Sequence, residues 1–233
     1  LNEPDKWFNY FSNGNIDDKL RKIREPEKLK IYELSLLAYL DAMGYARRVT
    51  KASHKELFEK VFKRYQASVL QTITNSAIKS SQLGTTNILE GDARCLPLDD
   101  SSIDCVITSP PYSFAIDYAE NDAPQLAFLG YNVEALRTQM IGLAGRTKQQ
   151  KLQRYFDDMK TVAQEIVRVL KSQKFAIIII GSNTNQTGGI RLEQTIIDHF
   201  DNFNASLVKS ILKPIKGMRN TMKDEYILIF QKT

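Results

Sequence analysis

Ile103-Asp104-Cys105-Val106-Ile107-Thr108-Ser109-Pro110-Pro111-Tyr112 joins a short apolar run to two adjacent prolines. The run from Ile103 to Ile107, closed by a polar turn, predicts a strand buried on both faces of a parallel sheet. Proline has no backbone N–H and cannot continue a ladder, so Pro110 and Pro111 stiffen the turn that leaves the strand's carboxyl end. In open α/β sheets that end is where ligands bind. Ser109 and Tyr112 bracket the rigid turn, which thereby offers a side-chain acceptor, backbone carbonyls not consumed by a ladder, and an aromatic ring. Those are the parts needed to hold a flat heterocycle bearing an exocyclic NH₂, its hydrogens taken by the acceptors and its face stacked on the ring.

Strand and helix patterns alternate downstream of this stretch. Asn87 to Glu90 is a second short apolar run and predicts a strand. Lys151 to Lys171 has the period of an amphipathic helix, with Phe156, Met159, Ala163, Ile166, Val167 and Leu170 on one side. Phe175 to Ile180 reads as a buried strand, Leu192 to Phe200 as a helix, and Ala205 to Leu212 and Tyr226 to Phe230 as two final strands. The first eighty residues read as helices instead, over Asp17 to Ile23, Glu27 to Met43 and Ser53 to Lys79. Leu29, Tyr32, Leu36, Leu37 and Leu40 form one apolar face, and Ser53 with Glu56 makes a capping box. Trp7-Phe8 and Tyr10-Phe11 read as helix-packing residues. The expected class is α/β, with an all-helical segment over 1–83 ahead of a doubly wound domain over 84–233.

The 233 residues carry 32 Lys and Arg against 27 Asp and Glu, a net charge of +5. Distribution matters more than the sum. Residues 81–134 hold one basic and nine acidic side chains, whereas residues 135–156 hold five basic and none acidic. No apolar stretch approaches the roughly 18 residues of a membrane span, and the start has no signal pattern, so a cytoplasmic protein is expected. The chain begins at Leu1 rather than Met, which suggests a processed or trimmed amino end. Two cysteines and two histidines at these spacings supply no four-ligand zinc site, so no metal is expected. Cys105 reads as a buried core thiol, and neither His54 nor His199 takes a catalytic role.

Thr108-Ser109-Pro110-Pro111-Tyr112 resembles the catalytic motif of S-adenosylmethionine-dependent amino methyltransferases that act on nucleobases. The Ser form is most typical of DNA N4-cytosine enzymes. Glu90-Gly91-Asp92-Ala93 resembles the family's acidic turn that contacts the cofactor's adenine, and Asp104 lies on the strand entering the catalytic motif. Phe114-Ala-Ile-Asp117-Tyr118, Leu129-Gly-Tyr131, Arg168-Val-Leu-Lys171 and Ile177-Ile-Ile-Ile-Gly-Ser-Asn183 agree in order. The resemblance spans roughly residues 86–231. It implies S-adenosyl-L-methionine as cofactor, Asp92, Ala93 and Ser109 as its contacts, and Ser109, Pro110, Pro111 and Tyr112 as the catalytic set. It implies methylation of a DNA base, cytosine N4 ahead of adenine N6, in a restriction-modification or related setting, with the target base flipped out. An RNA-base enzyme and a non-catalytic nucleic-acid-binding partner are the alternatives.

The resemblance is incomplete. The family's strand and Gly-rich turn, of the form Asp-Pro-Phe-x-Gly-x-Gly-Thr, have no counterpart here, and the loop from Gly181 to Gly189 reads better as a turn into the next helix. In the family's sheet order, 3-2-1-4-5-7-6, the runs at Asn87 and Ile103 would be strands three and four. The chain is therefore expected to hold strands 3 to 7 of a Rossmann-like methyltransferase sheet. A second polypeptide or a missing amino-terminal segment would supply the Gly-rich cofactor loop.

Basic residues supply the candidate DNA contacts. Arg146, Lys148, Lys151 and Arg154, with Arg137, follow the catalytic turn next to Gly142 and Gly145, a natural place for phosphates, although a solvated helix start explains them too. Lys216 and Arg219, flanked by Lys213 and Lys223 around Gly217, form a second candidate. Asp92 can alternatively cap its own turn, and Asp117 can shape the base pocket or start a helix.

Overall fold

The computed structural model describes residues 3–16, 26–47, 49, 51–75, 84–111, 117–182, 187–214 and 224–233. They form two compact units, Leu1–Asn87 with Tyr118–Val133, and Ile88–Asp117 with Glu134–Thr233. The expected helix at Asp17 to Ile23 lies outside the described residues.

The first unit is helical. Its elements are α1 (Pro4–Ser12), α2 (Pro26–Ala46), α3 (His54–Asn75), α4 (Tyr118–Asn121) and α5 (Ala123–Phe128). Pro4 opens α1, where its missing N–H costs nothing. The capping box of α3 forms as the sequence predicts: Glu56 accepts from the Ser53 backbone N–H at 2.7 Å, and Ser53 Oγ accepts from the Glu56 N–H at 3.3 Å. Trp7, Phe8 and Phe11 join Tyr32, Tyr39, Phe58 and Phe62 in an aromatic core. Phe128 of α5 joins them, its ring 5.3 Å from that of Tyr39.

The buried face of α2 matches the expected one in part: Tyr32 is buried and Leu36 packs against the core, with Leu29 and Leu40 half-buried. The face runs through Tyr32, Ser35, Ala38, Tyr39 and Ala42, while Leu37 is 56% exposed. Ala38 and Ala42 are fully buried beside the rings of Tyr32 and Tyr39 in the helical unit's core.

The second unit is an α/β layer structure. It contains β1 (Ile103–Thr108), α6 (Val133–Gln139), α7 (Lys148–Val169), β2 (Leu170–Ser182), α8 (Leu192–Asp201), β3 (Ala205–Pro214) and β4 (Asp224–Lys232). The sheet order is β1-β2-β4-β3. β1 and β2 are parallel, and β4 runs antiparallel to both β2 and β3. This is the 4-5-7-6 portion of the expected order. Ala176, Ile178 and Ile180 of β2, with Leu228 and Phe230 of β4, pack beneath Tyr155, Met159, Val162, Ala163 and Ile166 of α7 and Leu192, Ile196 and Phe200 of α8. Phe200 stacks on Phe230 with ring centres 4.2 Å apart. No described helix is long and apolar enough to cross a membrane.

Two expectations fail at one edge of this sheet. Residues 84–91 form no strand, and Ile88 and Leu89 are 89% and 57% exposed. A strand needs a ladder partner, and among the described residues Asn87 to Glu90 has none. Cys105 is exposed rather than a core thiol. It pairs with Phe175, so it shares the face opposite the buried Ala176, at the outer strand of the sheet.

Candidate active site

β1 ends at Thr108, and the turn that follows it stands at the carboxyl end of a parallel strand pair. Ser109 is exposed, Pro110 buried and Pro111 half-buried. The prolines therefore fix the turn from beneath while the serine faces outward. Tyr112 lies outside the described residues, as do Lys216 and Arg219. Beyond the turn, the Asp117 carboxylate pairs with the Arg137 guanidinium of α6.

The segment before β1 is held by ion pairs. A bridge between Asp92 and Cys95 closes a tight turn, and Asp92 Oδ1 accepts from the Arg94 backbone N–H at 2.9 Å. The Arg94 guanidinium binds the same carboxylate through Nε at 3.0 Å and Nη2 at 2.8 Å, reaches Asp158 of α7 through Nη1 at 2.9 Å, and donates to the Gln139 carbonyl at 3.0 Å. Arg94, through its hydrogen bonds, holds the Asp92 carboxyl below its ordinary range. Downstream, Arg168 donates to the carbonyls of Leu96 and Leu98 at 3.1 and 2.8 Å and to Asp100 at 2.6 Å. Glu165 accepts from the Leu96 N–H at 2.9 Å. Ser101 and Ser102 then donate to the carbonyls of Arg168 and Val169, both at 2.9 Å, so the end of α7 sets where β1 begins.

A cavity of about 450 Å³ opens at this turn, lined by the Glu90–Arg94 segment and by Leu136, Gln139, Met140 and Ile141. Of the expected cofactor contacts, Asp92 and Ala93 both line it, and Ser109 does not.

The basic residues form a second feature. Thr147 and Gln150 make a full capping box at the start of α7. Gly145 sits at φ +133°, and a Cβ there would approach the Lys151 backbone N to 3.0 Å, so the loop folds tightly onto the helix. Arg146 and Arg154 line one open concavity of about 660 Å³, and Arg137, Lys151 and Arg154 line an adjoining one of about 300 Å³. Among the described residues Arg47, Arg64, Arg94, Arg137, Arg168 and Arg191 each pair with a carboxylate. Arg146 and Arg154 do not, nor do Lys148 and Lys151. Cations in the first turn of a helix oppose its dipole, while a bound anion there would be favoured.

The sequence pattern of a DNA methylase family matches residues 103–233. The chain belongs to that family. The match begins at the first residue of β1 and runs through the whole sheet. No curated protein matches the chain. Among solved structures, it is similar to a protein of Thermus thermophilus provisionally assigned as a DNA modification methylase and complexed with S-adenosyl-L-methionine, at 18% identity and a TM-score of 0.37, covering 61% of this chain and 51% of that one. A SAM-dependent methyltransferase from Methanosarcina mazei is similar at 11% identity and a TM-score of 0.42, over 72% of this chain and 76% of that one. This family member thus spans about half the length of the Thermus protein.

Reading the sequence missed Arg94, Asp158, Glu165 and the Asp117–Arg137 pair. One signal was present: Arg94 is the only basic residue among 81–134. Its partner Asp158 lies 64 residues away, and only the fold brings them together.

Proposed function

We propose that this chain carries the catalytic half of an S-adenosylmethionine-dependent DNA amino methyltransferase, with the chemistry in residues 84–233 and cytosine N4 favoured over adenine N6. The observation that carries the reading is the Ser109-Pro110-Pro111 turn at the carboxyl end of β1, with the serine exposed above a buried proline, in a chain of the DNA methylase family. An amino group conjugated to a ring is a poor nucleophile. Hydrogen bonds from its N–H groups to Ser109 Oγ and the Pro110 carbonyl would localise its lone pair, and Tyr112 would stack on the flipped base, worth about 1–3 kcal/mol. When bound, S-adenosyl-L-methionine supplies an electrophilic methyl group. The residues beside the Asp92 turn suit its adenosyl part: a cavity of about 450 Å³ within the range of small-ligand sites, apolar lining from Leu136, Met140 and Ile141, and carboxylate and backbone polar groups from the turn.

The cations at the start of α7 support DNA as the substrate. Among the described residues, Arg146, Lys148, Lys151 and Arg154 have no protein carboxylates to neutralise them, and phosphates would. Lys216 and Arg219 are proposed as further contacts. A second polypeptide or preceding segment is proposed to complete the cofactor site, since no Gly-rich cofactor loop is present in this sequence.

The test is transfer of labelled methyl groups, with the chain supplemented by its complementary cofactor-binding segment and offered duplex DNA or RNA. Incorporation at cytosine N4 of DNA is expected. Adenine N6 labelling would revise the base, and RNA labelling the substrate. Binding without any transfer would leave the chain a nucleic-acid-binding partner and refute catalysis.

A further inference from the structure

We propose that Arg94, itself in the cavity lining, is a positioning residue that ties the Asp92 turn to the Gln139–Ile141 segment of the same cavity, and so prepares the site for an adenosyl group. The proposal rests on reading that turn as the cofactor contact.

Closing a turn does not require this arginine side chain. The Asp92–Cys95 bridge and the Arg94 backbone N–H bonded to Asp92 already close it. The guanidinium does something else. It grips Asp92 with Nε and Nη2, then reaches Asp158 on α7 and the carbonyl of Gln139, 45 residues away at the end of α6. Gln139, Met140 and Ile141 line the cavity in sequence, and Arg94 lines it with them. One planar group therefore joins the two lining segments of the cavity and ties them to α7, the long helix packed on the sheet.

The geometry is specific to arginine. Four of its N–H directions serve three partners, which a fork of five fixed donors can do and a single lysine ammonium cannot. The charges follow the same logic. Asp92 and Asp158 are two carboxylates converging on one place, and without a cation between them they would repel. With Arg94 between them, the two acids lock the wall of the site, and Asp92 offers its remaining lone pairs as hydrogen-bond acceptors rather than as a bare anion. The side chains of Arg94 and Asp158 are 29% and 21% exposed, so solvent screens this fork less than a surface pair.

The test is a titration of the ¹⁵N-labelled full chain with S-adenosylhomocysteine, followed by amide NMR. In the wild type, saturable shifts are expected at Gly91 to Arg94 and at Met140 and Ile141, with weak affinity in the absence of the complementary segment. Arg94→Lys keeps the charge, and is expected to raise the dissociation constant at least fivefold while amide signals of the β2–β4 core stay in place. Asp158→Asn keeps an acceptor for Nη1 and removes only charge; a rise of twofold or more is expected, and this variant carries the comparison if Arg94→Lys fails to fold. Wild-type affinity in a folded Arg94→Lys, or in Asp158→Asn where Arg94→Lys does not fold, would overturn the positioning role alone. Absence of shifts at these residues in the wild type at millimolar ligand would overturn the cofactor reading of the turn, and the role of Arg94 with it.

Discussion

Ser109 and Pro110 divide the work of one turn between chemistry and support. Ser109 is exposed, so replacing it by alanine removes an acceptor without opening a cavity. Ser109→Ala is expected to abolish methyl transfer while the thermal midpoint stays within about a degree of wild type; retained transfer of labelled methyl would refute its role as acceptor. Tyr112→Ala is expected to do the same through lost stacking. Arg146 and Arg154 make a different kind of prediction, because among the described residues they carry no carboxylate partner whose loss would disturb folding. If each neutralises one phosphate, Arg146→Ala and Arg154→Ala should each flatten the log–log dependence of DNA affinity on salt by about 0.9, measured by fluorescence anisotropy over a salt series. An unchanged slope in both variants would place the phosphates elsewhere.

Elements here are positioned by their ends. α7 begins with a reciprocal cap between Thr147 and Gln150 and finishes by handing its last carbonyls to Ser101 and Ser102, just ahead of β1. Thr147→Ala should therefore destabilise the second unit by about 1 kcal/mol, readable from urea denaturation. It should also weaken DNA binding, since Arg146 and Lys148 flank the cap. β2 shows how tertiary contacts lengthen an element. Its apolar run predicts a strand from Phe175, yet the ladder also includes Leu170, which pairs with Ile103, and the register slips before Phe175 meets Cys105. The Asp104 carboxylate takes both Lys171 and Lys174 at that slip, at 2.8 and 3.3 Å. Those pairs are exposed and depend on a strand 67 residues away, so no local pattern marks them.

Each unit also holds a half-buried histidine. His54 packs against the Tyr39 ring at 4.7 Å, and His199 lies on α8 near Lys160. Burial pushes both below the ordinary value of 6.5. A lowered folded-state value means the neutral form is favoured on folding. The stability this confers is complete above pH 6.5 and is lost as pH falls through the lowered values. Thermal midpoints are expected to drop between pH 7 and pH 5, and His199→Gln should flatten that drop for the second unit. Phe58 is fully buried in the helical unit's aromatic core, and Phe58→Ala is expected to cost about 3–5 kcal/mol there. Melting by helical circular dichroism would check it.

The sequence by itself determined the alternation of strand and helix after Ile103, the rigid Ser-Pro-Pro turn at a strand end, the Ser53–Glu56 capping box and the α/β class. All of these are written in short-range terms: hydrophobic period, missing N–H groups, and partners three residues apart. The placement of charge was decided by the tertiary structure alone. By charge count, residues 81–134 form an acidic centre suited to a cationic cofactor, but Asp100, Asp104 and Asp117 are each met by Arg or Lys brought in by the fold, while Asp92 is met by Arg94 within its own turn. Arg146, Lys148, Lys151 and Arg154 at the start of α7 meet no carboxylate among the described residues. The fate of Asn87 to Glu90 was decided in the same way. An apolar run becomes a strand only when a neighbour completes its hydrogen bonds, and whether one stands beside it is a property of the assembled sheet.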